Sequence, residues 1–72
     1  MAPIQLDVEI YRKSRREAKL DVHADPADTR ALRALLKDWL ESSGWDKGYW
    51  GQFTLTAFEA GTWNRVVKGV RI

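Results

Sequence analysis

The chain has 72 residues, no cysteine and a formal net charge of +2, which predicts one small domain without disulfides or cysteine-bound metals. A domain of this length buries only about 60% of the surface of its unfolded chain, so the core, or a partner chain, has to supply the stability. The apolar fraction of 44% and the four tryptophans make a core plausible. The charged fraction of 31% is typical of a soluble surface and argues against global disorder.

The sequence also bears on the location of the protein. No apolar run approaches the roughly 20 residues of a membrane-spanning helix, and Met1-Ala2-Pro3 leads into an alternating segment without the pattern of a signal peptide. We therefore expect no membrane partner. Together with the absence of cysteine, this favours the cytoplasm.

The first part of the chain predicts a β-hairpin. Apolar and polar residues alternate at about 4–11 and again at about 17–24, the period of strands with one buried face. Folding the two stretches about Ser14 places Val8 opposite Leu20, and the remaining apolar residues then fall on the same face. We expect this register, because a slip by one residue would turn the apolar face to solvent.

The polar face of this hairpin collects charged residues. Glu9 falls opposite Lys19, a favourable pair, whereas Asp7 falls opposite Asp21, a like-charge pair. His23 shares the face, so one interpretation is a metal or acid–base cluster. We favour a solvated face with balanced charges, because a metal or catalytic site needs a cleft and supporting residues. We predict no metal and no cofactor.

Residues from about 26 to 43 predict the single helix. Asp25 is the expected N-cap, Pro26 suits the first helical position, and Asp28 stands where a capping box places its acid. The apolar stripe at helical spacing consists of Leu32, Leu35, Leu36, Trp39 and Leu40. Gly44 suits the left-handed conformation that ends a helix.

The rest of the chain predicts a loop and a second hairpin. The three glycines of GWDKGYWG, residues 44–51, predict the loop. Strands follow at about 52–59 and 63–71, joined by a turn at Ala60-Gly61. Gly69 inside the last strand indicates a bulge or a close backbone approach.

The order strand, strand, helix, strand, strand predicts an α+β domain with one helix packed on one face of a four-stranded sheet. A right-handed crossover between the hairpins would bring the first and last strands together in parallel at the sheet centre. This order resembles the small ββαββ form of the β-grasp family, which implies a mixed sheet but no functional residue. An antiparallel sheet in another strand order is the alternative.

The sequence contains no catalytic motif. Nucleophile elbow, P-loop and Cys/His ligand spacings are all absent, and so small a domain has little room for a substrate cavity. GYWG at 48–51 has the spacing of the GxxG loop of KH domains, but it precedes a strand and holds two bulky aromatics, so we regard the match as accidental. We predict that the protein is not an enzyme.

The segment YRKSRRE at 11–17 is the first candidate surface. Its basic side chains lie at the predicted hairpin tip, where they would contact the phosphates of a nucleic acid. They are Arg12, Lys13, Arg15 and Arg16. The alternative is that like charges keep the tip solvated and prevent edge pairing. The nearby Glu17 and the small net charge favour the alternative.

The second candidate surface is aromatic, because four tryptophans exceed the need of one small core. The candidates for contact with another protein are Trp45, Tyr49, Trp50, Phe58 and Trp63. A turn at Ala60-Gly61 would make Phe58 and Trp63 a cross-strand pair on the uncovered sheet face, the kind of patch that binds proteins. The alternatives are that Trp45 and Trp50 only cap the core and that Phe58 and Trp63 only stabilise the hairpin.

These features rank three functional classes. A protein-interaction module, with another protein or a second copy as partner, comes first, a nucleic-acid-binding module second, and an enzyme a distant third. The segments ADPAD, LRALLKDWL and GW, in a chain that uses more arginine than lysine, make it resemble small uncharacterised accessory proteins of actinobacteria and their phages. That resemblance implies a protein without enzymatic activity, and for a phage protein it implies a host protein as the target.

Overall fold

The computed structural model describes residues 3–72, so Met1 and Ala2, which belong to the predicted domain, lie outside the described residues. The elements in chain order are β1 (Ile4–Arg12), β2 (Arg15–Ala24), α1 (Thr29–Ser42), a 3-10 helix (Lys47–Gln52), β3 (Phe53–Glu59) and β4 (Arg65–Arg71). The α+β class and the ββαββ order predicted from the sequence are confirmed.

The four strands form one sheet in the order β2-β1-β3-β4, with every neighbouring pair antiparallel. The first and last strands are not neighbours, so the β-grasp-like mixed sheet is not formed and the antiparallel alternative is the observed one. β3 suits a central position because both of its faces are buried: Phe53, Leu55 and Ala57 on the helix side and Thr56 on the opposite side. β4 suits an edge, because it carries exposed charges and Gly69.

The first hairpin has the predicted register, with the opposite pairs Leu6–Val22, Asp7–Asp21, Val8–Leu20 and Glu9–Lys19. Near its tip the register shifts, because Ile10 lies opposite Ala18 but Tyr11 lies opposite Arg16. Glu17 is the extra residue of this bulge. The bulge moves Arg16 to the face of Tyr11, which the alternating pattern alone does not predict.

The helix begins later than predicted, and the expected N-cap was wrong. Asp28, not Asp25, caps α1, with its carboxylate accepting from the backbone N–H of Ala31 at 3.0 Å. Asp25 instead holds the preceding turn, where its side chain accepts from Ala27 N at 2.9 Å and its carbonyl from Asp28 N at 3.0 Å. The DPAD segment thus makes a turn before the helix, and Pro26 is buried within it.

The helix ends as the sequence predicts. Gly44 has a φ of 76°, and the backbone N–H of Trp45 donates to the carbonyl of Leu40 at 3.1 Å, which is the 6→1 hydrogen bond of a Schellman motif. Beyond this end, the predicted loop is in part a 3-10 helix. The Asp46 side chain caps it by accepting from Gly48 N at 2.8 Å.

The core lies between α1 and one face of the sheet. Leu32, Leu36 and Leu40 of the helix are fully buried, as are Phe53, Leu55 and Ala57 of β3. Burial of each leucine or phenylalanine side chain stabilises the fold by roughly 1.5–3 kcal/mol. The helix backbone lies nearest to β3 and β4. The apolar layer is therefore thinner over β2, where Leu20 and Val22 are only partly buried.

The second hairpin carries the irregularity that Gly69 predicts. Leu55 lies opposite Val70 but Ala57 lies opposite Val67, so β4 has an extra residue next to Gly69, whose φ is 148°. A second shift follows between Ala57 and Phe58. β4 begins at Arg65, not at the predicted residue 63.

Candidate functional site

The sheet face opposite α1 is open, and its side chains form rows across the strands. Asp21, Asp7, Phe58 and Arg65 form one row, and Lys19, Glu9 and Thr56 form the next. A third row consists of Arg16, Tyr11, Thr54 and Arg71. This face therefore combines charged, hydroxyl and aromatic side chains on a rigid surface.

A hydrogen-bonded carboxylate lies at the centre of the face. Glu9 is only 7% exposed; it accepts from the Tyr11 hydroxyl at 2.7 Å and from an Arg16 guanidinium nitrogen at 3.0 Å. The Tyr11 hydrogen bond lowers the pKa of Glu9, burial partly opposes it, and Arg16 and Lys19 lower the pKa further. Glu9 is therefore ionised at neutral pH. The same hydrogen bond is the main reason that the pKa of Tyr11 is raised.

Phe58 and Trp63 form an edge-to-face pair at one side of this face, with centroids 6.4 Å apart and planes at 77°. Trp63 is 85% exposed, and the Arg65 guanidinium lies 5.9 Å from the Phe58 ring centre. The contact predicted between Phe58 and Trp63 is present, but they are not cross-strand partners. Phe58 lies opposite Arg65, and Trp63 belongs to the turn.

Hydrogen bonds hold the turn that presents Trp63. Thr62 donates from both its backbone N–H and its hydroxyl to the carbonyl of Glu59, at 3.1 and 3.0 Å. The same hydroxyl accepts from the backbone N–H of Asn64 at 3.2 Å, and Gly61 has a φ of 80°. The turn thus fixes the backbone on both sides of the exposed indole.

A groove of about 250 Å³ opens between the aromatic pair and the charged rows. Its lining consists of Asp7, Glu9, Lys19, Phe58, Gly61, Thr62 and Trp63. Glu9 is already bonded, whereas Asp7 has no hydrogen bond or ion pair within residues 3–72. The groove therefore offers an aromatic wall and a carboxylate free to accept from a bound group.

The other candidate aromatics lie elsewhere and close one end of the core. Trp45 packs edge-to-face on Phe53 with centroids 4.9 Å apart, and the buried Trp50 donates its indole N–H to the Trp45 carbonyl at 3.2 Å. Tyr49 beside them is 49% exposed. The five predicted aromatic candidates thus do not form one surface, and Trp45 and Trp50 occupy the capping position that the sequence left as an alternative.

The structure divides the predicted basic tip between the two sheet faces. The Arg12 guanidinium lies 5.1 Å from the Trp45 ring centre, on the helix side, while Arg16 bonds Glu9 on the open side. Lys13, with a φ of 57°, and Arg15 are exposed at the turn. The four cations therefore do not point in one direction, although a second groove of about 250 Å³ lies beside the tip.

Metal binding and membrane insertion find no support in the described part of the chain. Within residues 3–72, no group of three His, Cys, Asp or Glu side chains is placed to hold a metal ion. His23 lies opposite Gln5, one row beyond Asp7 and Asp21. No helix in the same residues has the length and apolarity that a membrane span requires.

Sequence reasoning identified the aromatic wall of the groove but not its charged side. The pairs Glu9–Lys19 and Asp7–Asp21 followed from the strand register, yet their closeness to Phe58 depends on β3 lying next to β1. Nothing in the alternating pattern selects that neighbour. Comparisons of the chain with protein-family models, with curated proteins and with solved structures returned no match in any of the three.

Proposed function

We propose that this protein is a non-enzymatic protein-interaction module that binds its partner in the groove beside Trp63. The observation that carries the proposal is the 85% exposure of Trp63 in a hydrogen-bonded turn. Tryptophan is among the residues that contribute most to protein–protein binding, and a side chain held by a rigid backbone loses little entropy on binding.

The chemistry of the groove supports a basic side chain of the partner as the bound group. Arg16 and Lys19 offset the charge of Glu9. Asp7, which has no ion pair within residues 3–72, lies opposite Asp21 instead, so this aspartate pair is the part of the charged side that attracts a cation. The face of an indole ring also attracts a lysine or arginine head group. We place this partner in the cytoplasm because the chain has no cysteine.

If the chain is a phage protein, as its resemblance to proteins of actinobacteria and their phages suggests, the partner is a bacterial host protein. A nucleic acid bound at the hairpin tip is the second candidate. It is less well supported, because Arg12 and Arg16 already contact Trp45 and Glu9. A phosphate backbone would have to compete with those contacts for both side chains.

NMR titration with three pools of short peptides, one basic, one acidic and one neutral and apolar, tests the proposal. We expect the basic pool to shift the indole signal of Trp63 and the amides of Asp7 and Phe58. Trp63→Ser should abolish the shifts, whereas Tyr49→Ser, which removes another exposed aromatic side chain, should leave them. Equal binding of the acidic pool, or shifts confined to residues 12–16, would overturn the proposal.

Titration with a generic single-stranded oligonucleotide separates the second candidate from the first. Binding through the tip predicts shifts at Lys13 and Arg15 that weaken steeply with salt. Binding through the groove predicts no response to the oligonucleotide. Arg15→Glu should weaken oligonucleotide binding only if the hairpin tip is the binding site.

A further inference from the structure

The two edges of the sheet differ in how well they are protected. β4 is interrupted by two register shifts and by Gly69, features that discourage pairing with another strand. β2 is regular from Ala18 to Ala24, where it pairs residue for residue with β1. Its outer side therefore presents an unbroken row of backbone donors and acceptors.

The inner face along the same edge is apolar and incompletely covered. Leu20 and Val22 are only partly buried, whereas Leu6 and Val8 opposite them in β1 are fully buried. The cause is the position of α1, whose backbone lies nearest to β3 and β4. A strand added at β2 would cover this apolar strip as well as pair the backbone.

We propose that a second copy of this chain pairs antiparallel along β2, with the two-fold axis at Leu20. Residues that face each other across an antiparallel pair project to the same side of the sheet. On the helix side, Leu20 then faces Leu20 of the second copy and Ala18 faces Val22. On the open side, Lys19 faces Asp21 of the second copy, and the symmetry makes this pair twice.

Charge selects this register among its neighbours. An axis at Lys19 or at Asp21 would set identical charges against each other. An axis at Val22 would pair Asp21 with His23. Because Val22 lies only two residues from Ala24, where β2 ends, the ladder would be shorter. A shift by a single residue would oppose apolar and polar side chains. The axis at Leu20 combines opposite charges with the longest ladder.

This interface is separate from the proposed binding function, although Lys19 touches both the groove and the edge. Trp63→Ala removes the aromatic wall of the groove without altering β2, so it should leave self-association unchanged. Failure of self-association and failure of peptide binding are therefore distinguishable.

Single cysteines test the register, because the natural chain has none. Leu20→Cys would place two thiols on facing residues about 4.5–5.5 Å apart between Cα atoms, within reach of a disulfide. Val22→Cys would separate the corresponding atoms by roughly 13 Å along the strands, at about 3.3 Å per residue. Lys37→Cys on the exposed helix surface gives the collisional background.

Under mild oxidation, we expect the Leu20→Cys chain to cross-link about tenfold faster than the Val22→Cys chain. Faster cross-linking of Val22→Cys would move the axis and overturn the register. If neither variant cross-linked faster than the Lys37→Cys chain, the pairing itself would be overturned. Circular dichroism establishes beforehand that each variant is folded.

Charge reversal tests the same interface without a covalent bond. Lys19→Asp and Asp21→Lys each set like charges against each other twice, so each should weaken self-association in sedimentation equilibrium about tenfold. An equimolar mixture of the two variants restores both opposite-charge pairs and should form a heterodimer. The mixture also shows that both variants remain folded.

The matched control uses Lys37→Asp and Asp38→Lys on the exposed helix surface, which change the net charge by the same amounts. Each should self-associate like the natural chain, and mixing should add nothing. A natural chain that remains monomeric up to millimolar concentration would overturn the proposal. So would self-association of the Lys19→Asp or Asp21→Lys chain equal to that of the natural chain.

Discussion

Tyr11 and Glu9, two residues apart on β1, are joined by a hydrogen bond of 2.7 Å in which the phenol donates to the carboxylate. Both project to the open face of the sheet, and Arg16 completes the arrangement from the neighbouring strand. A carboxylate so little exposed needs such donors, because burying an ionised group without partners is costly. This small network is therefore the polar anchor of an otherwise solvated surface.

Replacing Tyr11 with phenylalanine removes one donor and leaves Glu9 in place. We expect the free energy of unfolding to fall by about 1–2 kcal/mol, the cost of a lost hydrogen bond to a largely buried charged group. Urea unfolding measures it. Tyr49→Phe, at a residue that is 49% exposed, is the control and should change little. Equal losses in both variants would contradict the role of the network.

The same network makes stability depend on acid. Because the folded-state pKa of Glu9 lies below its ordinary value of 4.5, its contribution is present above pH 4.5 and is lost as pH falls through the folded pKa. Glu9→Gln should flatten this part of a plot of unfolding free energy against pH. An unchanged slope in that variant would assign the acid sensitivity to other carboxylates.

Tyr11 gives the opposite dependence at high pH. Its pKa is raised above the ordinary value of 10.0, so the contribution is complete below pH 10.0 and is lost as pH rises through the folded value. Absorbance titration of a Tyr49→Phe chain, in which Tyr11 is the one remaining tyrosine, should show a phenol pKa above 10.0. A Tyr11 pKa at or below 10.0 would exclude the observed hydrogen bond in solution.

Two tryptophans should differ sharply in their effect on stability. Trp63→Ala removes an 85% exposed side chain and its edge contact with Phe58, so we expect a loss below about 1 kcal/mol. Trp50→Ala removes a side chain that is 9% exposed and should cost roughly 3–5 kcal/mol. Thermal unfolding compares them, and similar losses would mean that Trp63 packs on the core in solution.

The role of Asp28 as the N-cap of α1 can be tested by substitution. Asp28→Ala should cost about 1 kcal/mol, because the backbone N–H of Ala31 loses its acceptor at the start of α1. Asp38→Ala, at an exposed position within the helix, should stay within about 0.5 kcal/mol of the natural chain. A loss at Asp38 as large as that at Asp28 would argue against capping.

Much of the architecture could be predicted because local patterns and tertiary contacts agree. Alternation defined both strands of the first hairpin and even the pairs Val8–Leu20 and Glu9–Lys19, since one slipped residue would expose the apolar face. The helical stripe of Leu32, Leu36 and Leu40 identified the covering element in the same way. Both patterns involve residues that are close together in the sequence, so they can be recognised without knowing the tertiary structure.

The strand order could not be read in this way, and the candidate site depends on it. Either β3 or β4 has enough apolar residues to lie beside β1, and the choice rests on the sum of many packing contacts. The charges and Gly69 of β4 were the available indication that it forms an edge. Similarly, two aspartates three residues apart both suit an N-cap, and only the turn at Pro26 decides between Asp25 and Asp28.

The central ladder between β1 and β3 joins the beginning of the chain to its last third, as the pairs Leu6–Glu59 and Arg12–Phe53 illustrate. Such distant partners must meet before the core can close, and the entropy of closing the intervening loop is lost before those contacts form. We therefore expect folding in milliseconds or slower, rather than the microseconds of helical domains of similar size. The transition state should contain the β1–β3 pair, so substitutions at Val8 or Leu55 should slow folding more than they speed unfolding.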